Sequence, residues 1–422
     1  MRRERLRTML FLIVAAASIL LAVGLYFAPS WKPVKSAFES TADLERKSID
    51  GRFQVRGKQK PRSDLVVVGI DDVSFGDMQL RFQDWRRVYH ANVINRLSKD
   101  GAKLIVYDIQ FTEPSDKPED DNALILACKA AKNCILSTTE VDSKGRSGVF
   151  GGADGLTFAH ALSGDGRFPQ DPDGVVRKVA VELQGLKSLS LVAAQKLTGK
   201  TISKADLGGR RAYIDYYGPP GTIPEVPFSR LCANPNPKLS CGHTPHGKPL
   251  KIKQAPAGFF KDKIVVVGPI APTLQDVHAT SAGGGEMPGA EIQATALGTA
   301  LANFPLDDSP SWLDVALIVL LGLVAPLASI KLRLWGIALA VAVGLVYAVV
   351  TQLLFNGGLI ISYTYPLGAL LLASVGSLAV HYVTEAFERA RVRENFSRFV
   401  PVSGVGQGLD PADGARLGGV GR

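Results

Sequence analysis

From Leu334 to Thr384 the chain runs 51 residues without an Asp, Glu, Lys or Arg. One helix crossing a hydrocarbon core of about 30 Å uses only about 20 residues, so this run must fold back on itself. Asn356-Gly357-Gly358 supplies the turn, which predicts passes near 335–355 and 359–383. A further charge-free stretch, 315–330, ends at Lys331-Leu332-Arg333. No charge falls between Arg7 and Lys32 either, and 8–27 is long enough for a first pass. A cleaved leader is the competing reading, but its apolar core would be about 7–15 residues and closed by a small-x-small site, which is missing here.

Basic residues near the ends of the passes set their direction. The leader arginines, Lys331 and Arg333, and Arg389, Arg391, Arg393 and Arg398 all fall on one side of four passes. The chain therefore divides into a cytoplasmic leader (1–7), a transmembrane helix (8–27), an extracytoplasmic segment (28–311), three transmembrane helices (312–383) and a cytoplasmic linker (384–422). The expected location is a bacterial inner membrane with both termini cytoplasmic. The net charge of +9 flanks apolar segments, so it reads as membrane orientation, with the lipid bilayer as partner and no nucleic acid. With 46% apolar and 21% charged residues, disorder, collagen and a small disulfide scaffold are excluded.

Within 28–311, short β-branched runs alternate with helical spacing. Strands are expected at 65–70, 103–111, 134–138, 212–217 and 263–268, and helices at 86–99, 120–131, 189–197 and 288–301. Continuous apolar strands separated by helices predict an α/β domain with a parallel or mixed sheet covered on both faces. The Gly- and Asp-rich 142–175 and the Pro-rich 233–258 read as long loops.

Acidic residues close two of these strands: Asp71 and Asp72 after the first, Asp108 and Glu113 at the end of the second. Ligands bind at that edge of open α/β sheets, so these four are candidate ligand-binding residues, against a bland reading as helix cap and turn. Asp173, within the turn Asp171-Pro172-Asp173-Gly174, and Arg177 just after it are candidate ligand-binding residues too, against a bland reading as a tight turn with a local ion pair. Arg177 is available for an anionic ligand or for Asp173. Gly218-Pro219-Pro220-Gly221-Thr222 lacks the Gly-Lys-Ser/Thr that grips phosphate and reads as a turn. His278, two residues after Asp276, has no nucleophile motif beside it, so no catalytic residue is assigned.

All four cysteines lie in the exported segment, as an oxidising compartment permits. The preferred pairing is local, Cys128–Cys134 and Cys232–Cys241, with other pairings and free thiols open. Cys232, Cys241, His243 and His246 are spaced unlike a common zinc module. No metal site and no cofactor is expected.

In the last pass Ala369, Ala373 and Ser377 repeat every four residues, one face small enough for close helix contact. Beyond it, Glu385 with Arg389 and Glu394 with Arg398 stand four apart, which predicts that the pass continues as a helix as far as Pro401.

The stretches VVVGIDDVSF (66–75), WRRVYHANVINRL (85–97), GAKLIVYDIQFTEPSD (101–116), QDPDGVVRKV (170–179), YYGPPGTIP (216–224), FFKDKIVVVG (259–268) and MPGAEIQATAL (287–297) together resemble the type-two CHASE sensory domain. ENFSRFVP (394–401) resembles the junction leading into a class III adenylate or guanylate cyclase. The resemblance implies a sensor for an unknown extracytoplasmic ligand, relaying to a cyclase output. The cyclase's metal-binding aspartates have no counterpart before Arg422, so this chain is not itself expected to be an enzyme. Class III active sites form between two chains, which with the small-residue face implies a homodimer. The rival readings are a sensor for a kinase or diguanylate cyclase, and a membrane-tethered extracytoplasmic enzyme.

Overall fold

The computed structural model describes residues 2–31, 38–142, 145–242 and 250–397. It divides into two compact units. One comprises residues up to Glu45, Ser309–Thr351 and the chain from Ile361 onward, and the other Arg46–Asp308 with Gln352–Ile360.

Helix α1 (Arg2–Phe27) is followed by α2 (Glu39–Arg56), and then the α/β unit takes its course. Its first half runs β1 (Leu65–Ile70), α3 (Asp72–Met78), α4 (Arg87–Lys99), β2 (Leu104–Gln110), α5 (Pro118–Ala131), β3 (Cys134–Thr138), α6 (Ala153–Phe158) and β4 (Leu162–Asp165). After the short strands β5 (Lys178–Ala180), β6 (Glu182–Leu183) and β7 (Leu186–Lys187) come α7 (Leu189–Thr198), β8 (Arg211–Tyr213), β9 (Glu225–Pro227) and β10 (Ile264–Pro269). The hairpin β11 (Val277–Ala279) and β12 (Glu286–Pro288) leads into α8 (Gly289–Leu301) and β13 (Asp307–Asp308).

Six strands form one sheet in the order β4-β3-β2-β10-β1-β9, and every pairing is parallel. The expected choice between parallel and mixed is thereby resolved. Alternation along β1 shows why the sheet needs cover on both faces. Val66, Val68 and Ile70 join Ile94 and Leu97 of α4 and Leu124 of α5 in one core. Leu65 and Val67 join Leu189 and Ala193 of α7 and Ala290, Ala294 and Leu297 of α8 in another. All six residues of β1 are buried, the double-sided burial that a parallel sheet imposes.

A third apolar cluster gathers Ile49 and Phe53 of α2, Tyr213, Tyr216 and Ile292, together with Phe355. Beneath it Arg177, 1% exposed, meets Asp50 of α2, Asp171 and Asp173 at 2.7–2.9 Å. This cluster makes the polar stretch 39–56 a helix that its sequence pattern does not announce.

The other unit contains α9 (Ser311–Leu332), α10 (Trp335–Asn356) as far as Thr351, and α11 (Thr364–Ser397), which follows the two-residue strand β14 (Leu359–Ile360). Four helices are long and apolar enough to cross a membrane, over Glu4–Phe27, Ser311–Leu332, Trp335–Asn356 and Thr364–Val392. Buried Asp314, in the first turn of α9, accepts bonds from Tyr26, Ser309 and the Ser362 amide, as a carboxylate removed from water requires. Helix α11 runs unbroken to Ser397; Arg398 and Pro401 lie outside the described residues.

The small-residue face has a different use from the one expected. Ala369, Ala373 and Ser377 are fully buried inside this chain's own helices. A Cβ on Gly322 of α9 would stand 2.5 Å from Ile19 of α1 and 3.6 Å from Ala369, and one on Gly376 would stand 2.5 Å from Val14 of α1. The spacing signals close helix contact, but within the chain, so it carries no argument for a homodimer. Gly376→Leu is expected to separate α1 from α11 and lower the thermal unfolding temperature of the full chain in detergent, whereas Gly24→Leu, at a glycine with open space around it, is expected to leave it unchanged.

Candidate functional site

At the carboxyl edge of the parallel sheet lies a cavity of about 590 Å³. The ends of β2 and β3 supply Asp108, Gln110, Ser137 and Thr139; the turn after β4 supplies Gly166, Arg167 and Phe168; the segment after β10 supplies Asp276 and His278. Phe82 completes one wall. Parallel strands all present their carboxyl ends here, which is why ligand sites in such sheets collect at this edge.

Backbone comes unusually close to the two carboxylates. A Cβ on Gly268 would approach Asp108 Cβ at 3.1 Å, one on Gly166 would stand 2.1 Å from Ser137 Oγ and 3.1 Å from Asp108 Oδ1, and one on Gly289 would stand 2.3 Å from Asp276 Oδ2. The glycines in GDGR (164–167), VVVGP (265–269) and MPGAE (287–291) thus leave room for these side chains. The Gly289 amide donates to the Asp276 carbonyl at 2.9 Å, and His278 Nε2 stands 3.2 Å from Asp276 Oδ1. Arg167 is already engaged, holding Asp165 through Nε and Nη2 and Gln184 through Nη1. Among the described residues neither Asp108 nor Asp276 has a lysine or arginine partner.

Burial pushes the Asp108 carboxyl up to about 8, the charge of Asp276 pushes the same way, and the Ser137 hydroxyl opposes both. In the unfolded chain an aspartate titrates near 3.9, so between these values the native state holds a proton that the unfolded state has lost. This contribution is full below pH of about 4 and is lost as pH rises through about 8. Asp108→Asn should therefore gain stability relative to the parent chain as pH is raised from 5 to 9 in thermal unfolding. Parallel pH profiles would contradict a proton-holding Asp108.

The other residues singled out by sequence lie elsewhere. Asp71 caps α3, accepting from the Ser74 amide at 2.7 Å, and Asp72 is exposed in that helix's first turn. Glu113 contributes its carbonyl to Arg87. Asp173 and Arg177 face each other in the buried cluster with Asp50 and Asp171, which fills the hydrogen-bonding fork of Arg177. Cys232 is joined to Cys241, whereas the expected Cys128–Cys134 bond is not made and both are buried thiols. The hydrogen bond with Cys128, and burial, hold the Cys134 thiol well above its usual range, which leaves it unreactive. His243 and His246 lie outside the described residues. No group of three His, Cys, Asp or Glu side chains among the described residues is placed to hold a metal ion.

Asp276, His278 and Arg167 were not assigned to the site from sequence. The available signal was position: Asp276-Val277-His278 closes the loop after the strand IVVVGP, and Gly166-Arg167 closes the strand LSGD.

No curated protein matches this chain, and no solved structure matches it. The model of the CHASE2 domain family, a sensory, non-catalytic domain, matches residues 17–327. That match covers well over half of the chain and takes in Arg46–Asp308 of the α/β unit, so the chain belongs to the CHASE2 family.

Proposed function

We propose that this protein is a transmembrane receptor whose α/β unit lies outside the cytoplasm of a bacterial cell, takes up its stimulus in the cavity at the carboxyl edge, and relays it to a cytoplasmic output of the class III nucleotide-cyclase type. The cavity carries this reading: in a sensory domain, a recess of about 590 Å³ lined by two carboxylates that, among the described residues, have no lysine or arginine partner is where a ligand has unmet interactions to offer and receive. Orientation is supported by the leader arginines, Lys331 and Arg333, and the arginines from Arg389 onward, and by a disulfide in the α/β unit. Trp31, Trp312 and Trp335 are exposed beside the apolar helices, where interfacial tryptophans sit.

Chain continuity offers the relay. The junctions between units fall at 45/46, 308/309, 351/352 and 360/361, two of them inside the continuous helices α2 and α10. A ligand shifts such helices only by as much as it prefers one arrangement over another. Helix α11 continues past the apolar span as far as Ser397 and points the route onward to the segment resembling a cyclase junction. Homodimerisation belongs to the proposal because class III sites need two chains, through a surface other than the small-residue face.

The test joins this chain to a class III cyclase catalytic domain and measures cyclic-nucleotide output of cells in rich and spent media. Output is expected to respond to the medium, and Gln170→Trp, which places a bulky ring at an exposed position of the cavity lining, is expected to abolish the response while leaving basal output. A response unchanged by Gln170→Trp would refute the cavity as the site of stimulus.

A further inference from the structure

Resting on that reading of the cavity, we propose that its ligand is a small organic amine, held as an ammonium between Asp108 and Asp276 and against the rings of Phe82 and Phe168.

Charge balance is the first argument. Two carboxylates line one recess and feel each other's charge, yet no described lysine or arginine is paired with either. The one guanidinium in the lining, Arg167, is spent on Asp165, which is fully buried. His278 stands 3.2 Å from Asp276 Oδ1. An anionic ligand would meet two acids and no free cation, and a neutral one would bring no counter-charge to either acid.

The walls decide between kinds of cation. Among the described residues no three ligating side chains converge as a metal ion requires. Phe168, whose ring centroid lies 5.5 Å from that of His278, and Phe82 offer aromatic surface instead. A desolvated ammonium over an aromatic face is favourable, and the volume admits a ligand of about ten heavy atoms. Gln110, Thr139 and Gln170, also in the lining, provide polar groups for the ligand's remaining atoms.

Proton balance gives the proposal a second readout. Asp108 is protonated near neutral pH, so an ammonium that pairs with it drives the carboxyl proton into solvent. The groups in the lining besides Asp108 that carry or gain charge are Asp276, His278 and Arg167. Binding should release up to one proton at pH 7, and affinity should rise as pH is raised from 6 toward 8.

The full chain in lipid nanodiscs is titrated with phenethylamine and putrescine, with 2-phenylethanol and phenylacetate as isosteres lacking the cation. The readouts are thermal shift and calorimetry in two buffers of different ionisation enthalpy. At least one amine is expected to protect the chain, with proton release, and the isosteres not. Asp108→Asn and Asp276→Asn should each weaken amine binding at least tenfold, and Gln170→Trp should abolish it. Equal protection by 2-phenylethanol, undiminished binding in both Asn variants, or no binding of either amine at millimolar concentration overturns the amine assignment, whereas the cavity reading stands or falls separately on the response of the cyclase chimera to Gln170→Trp. Amine binding that survives Gln170→Trp would place the amine outside the cavity and overturn this inference as well.

Discussion

Arg177→Ala is expected to cost about 3–5 kcal/mol, the loss typical of removing one partner from a buried ionic cluster. Three carboxylates, Asp50, Asp171 and Asp173, converge on this side chain, which is itself 1% exposed. Without the guanidinium the three acids face one another across the space it leaves. Arg177→Lys keeps the charge but offers a single ammonium where five planar donors now bridge three acids, so an intermediate loss is expected. The cluster is one unit, so Asp50→Asn in the Arg177→Ala background should restore part of the stability instead of adding a further loss. Thermal unfolding of the parent, Arg177→Ala, Arg177→Lys, Asp50→Asn and the double variant checks this. Additive effects, or an Arg177→Ala variant within about 1 kcal/mol of the parent, would refute the cluster's role. Asp173 is held below the usual carboxylate range by its hydrogen bond with Arg177. The stability that Asp173 lends is therefore present above its unfolded value and lost in acid.

Glu291→Ala comes next in size. This carboxylate, 1% exposed in the first turn of α8, accepts from the amides of Gly221, Thr222 and Ile223 at 2.9–3.2 Å. The Pro219-Pro220-Gly221 turn thus owes its shape to a side chain about 70 residues away, and it leads into β9 at the sheet edge. Removing the acceptor leaves buried amides unpaired, each at about 1–3 kcal/mol. A total of about 3 kcal/mol or more is expected, with Glu291→Gln, which keeps one acceptor oxygen, markedly milder. Chemical denaturation measures the difference, and equal losses for Ala and Gln would show that packing, not hydrogen bonding, holds the loop.

How much of this was legible in the sequence follows from the range of the forces involved. β1, β3 and β10 could be read because a strand buried on both faces needs an unbroken apolar run, and LVVVGI, CILST and IVVVGP each carry one. α2 could not, because its helix is fixed by Ile49 and Phe53 in a distant cluster and by Asp50 on Arg177. β9 has three residues and too little length for any period to show. In the site, Asp108 was visible as an acid ending a strand. Asp276 and Arg167 reach the same cavity from chain segments more than 100 residues apart, and no local pattern encodes that meeting. The face of Ala369, Ala373 and Ser377 shows a related limit: small residues announce a close helix, but not whether the neighbour is another copy or α1 and α9 of the same chain.

The account depends most on which side of the membrane holds the α/β unit. Cysteines introduced singly at Lys200 and Glu388, both exposed, would be labelled with a membrane-impermeant maleimide in intact spheroplasts and again after lysis. Cys128 and Cys134 are buried and Cys232 is bonded to Cys241, so background labelling should be low. Labelling of Lys200→Cys before lysis and of Glu388→Cys only afterwards is the expected result; the reverse pattern would put the cavity in the cytoplasm and contradict an extracytoplasmic sensor.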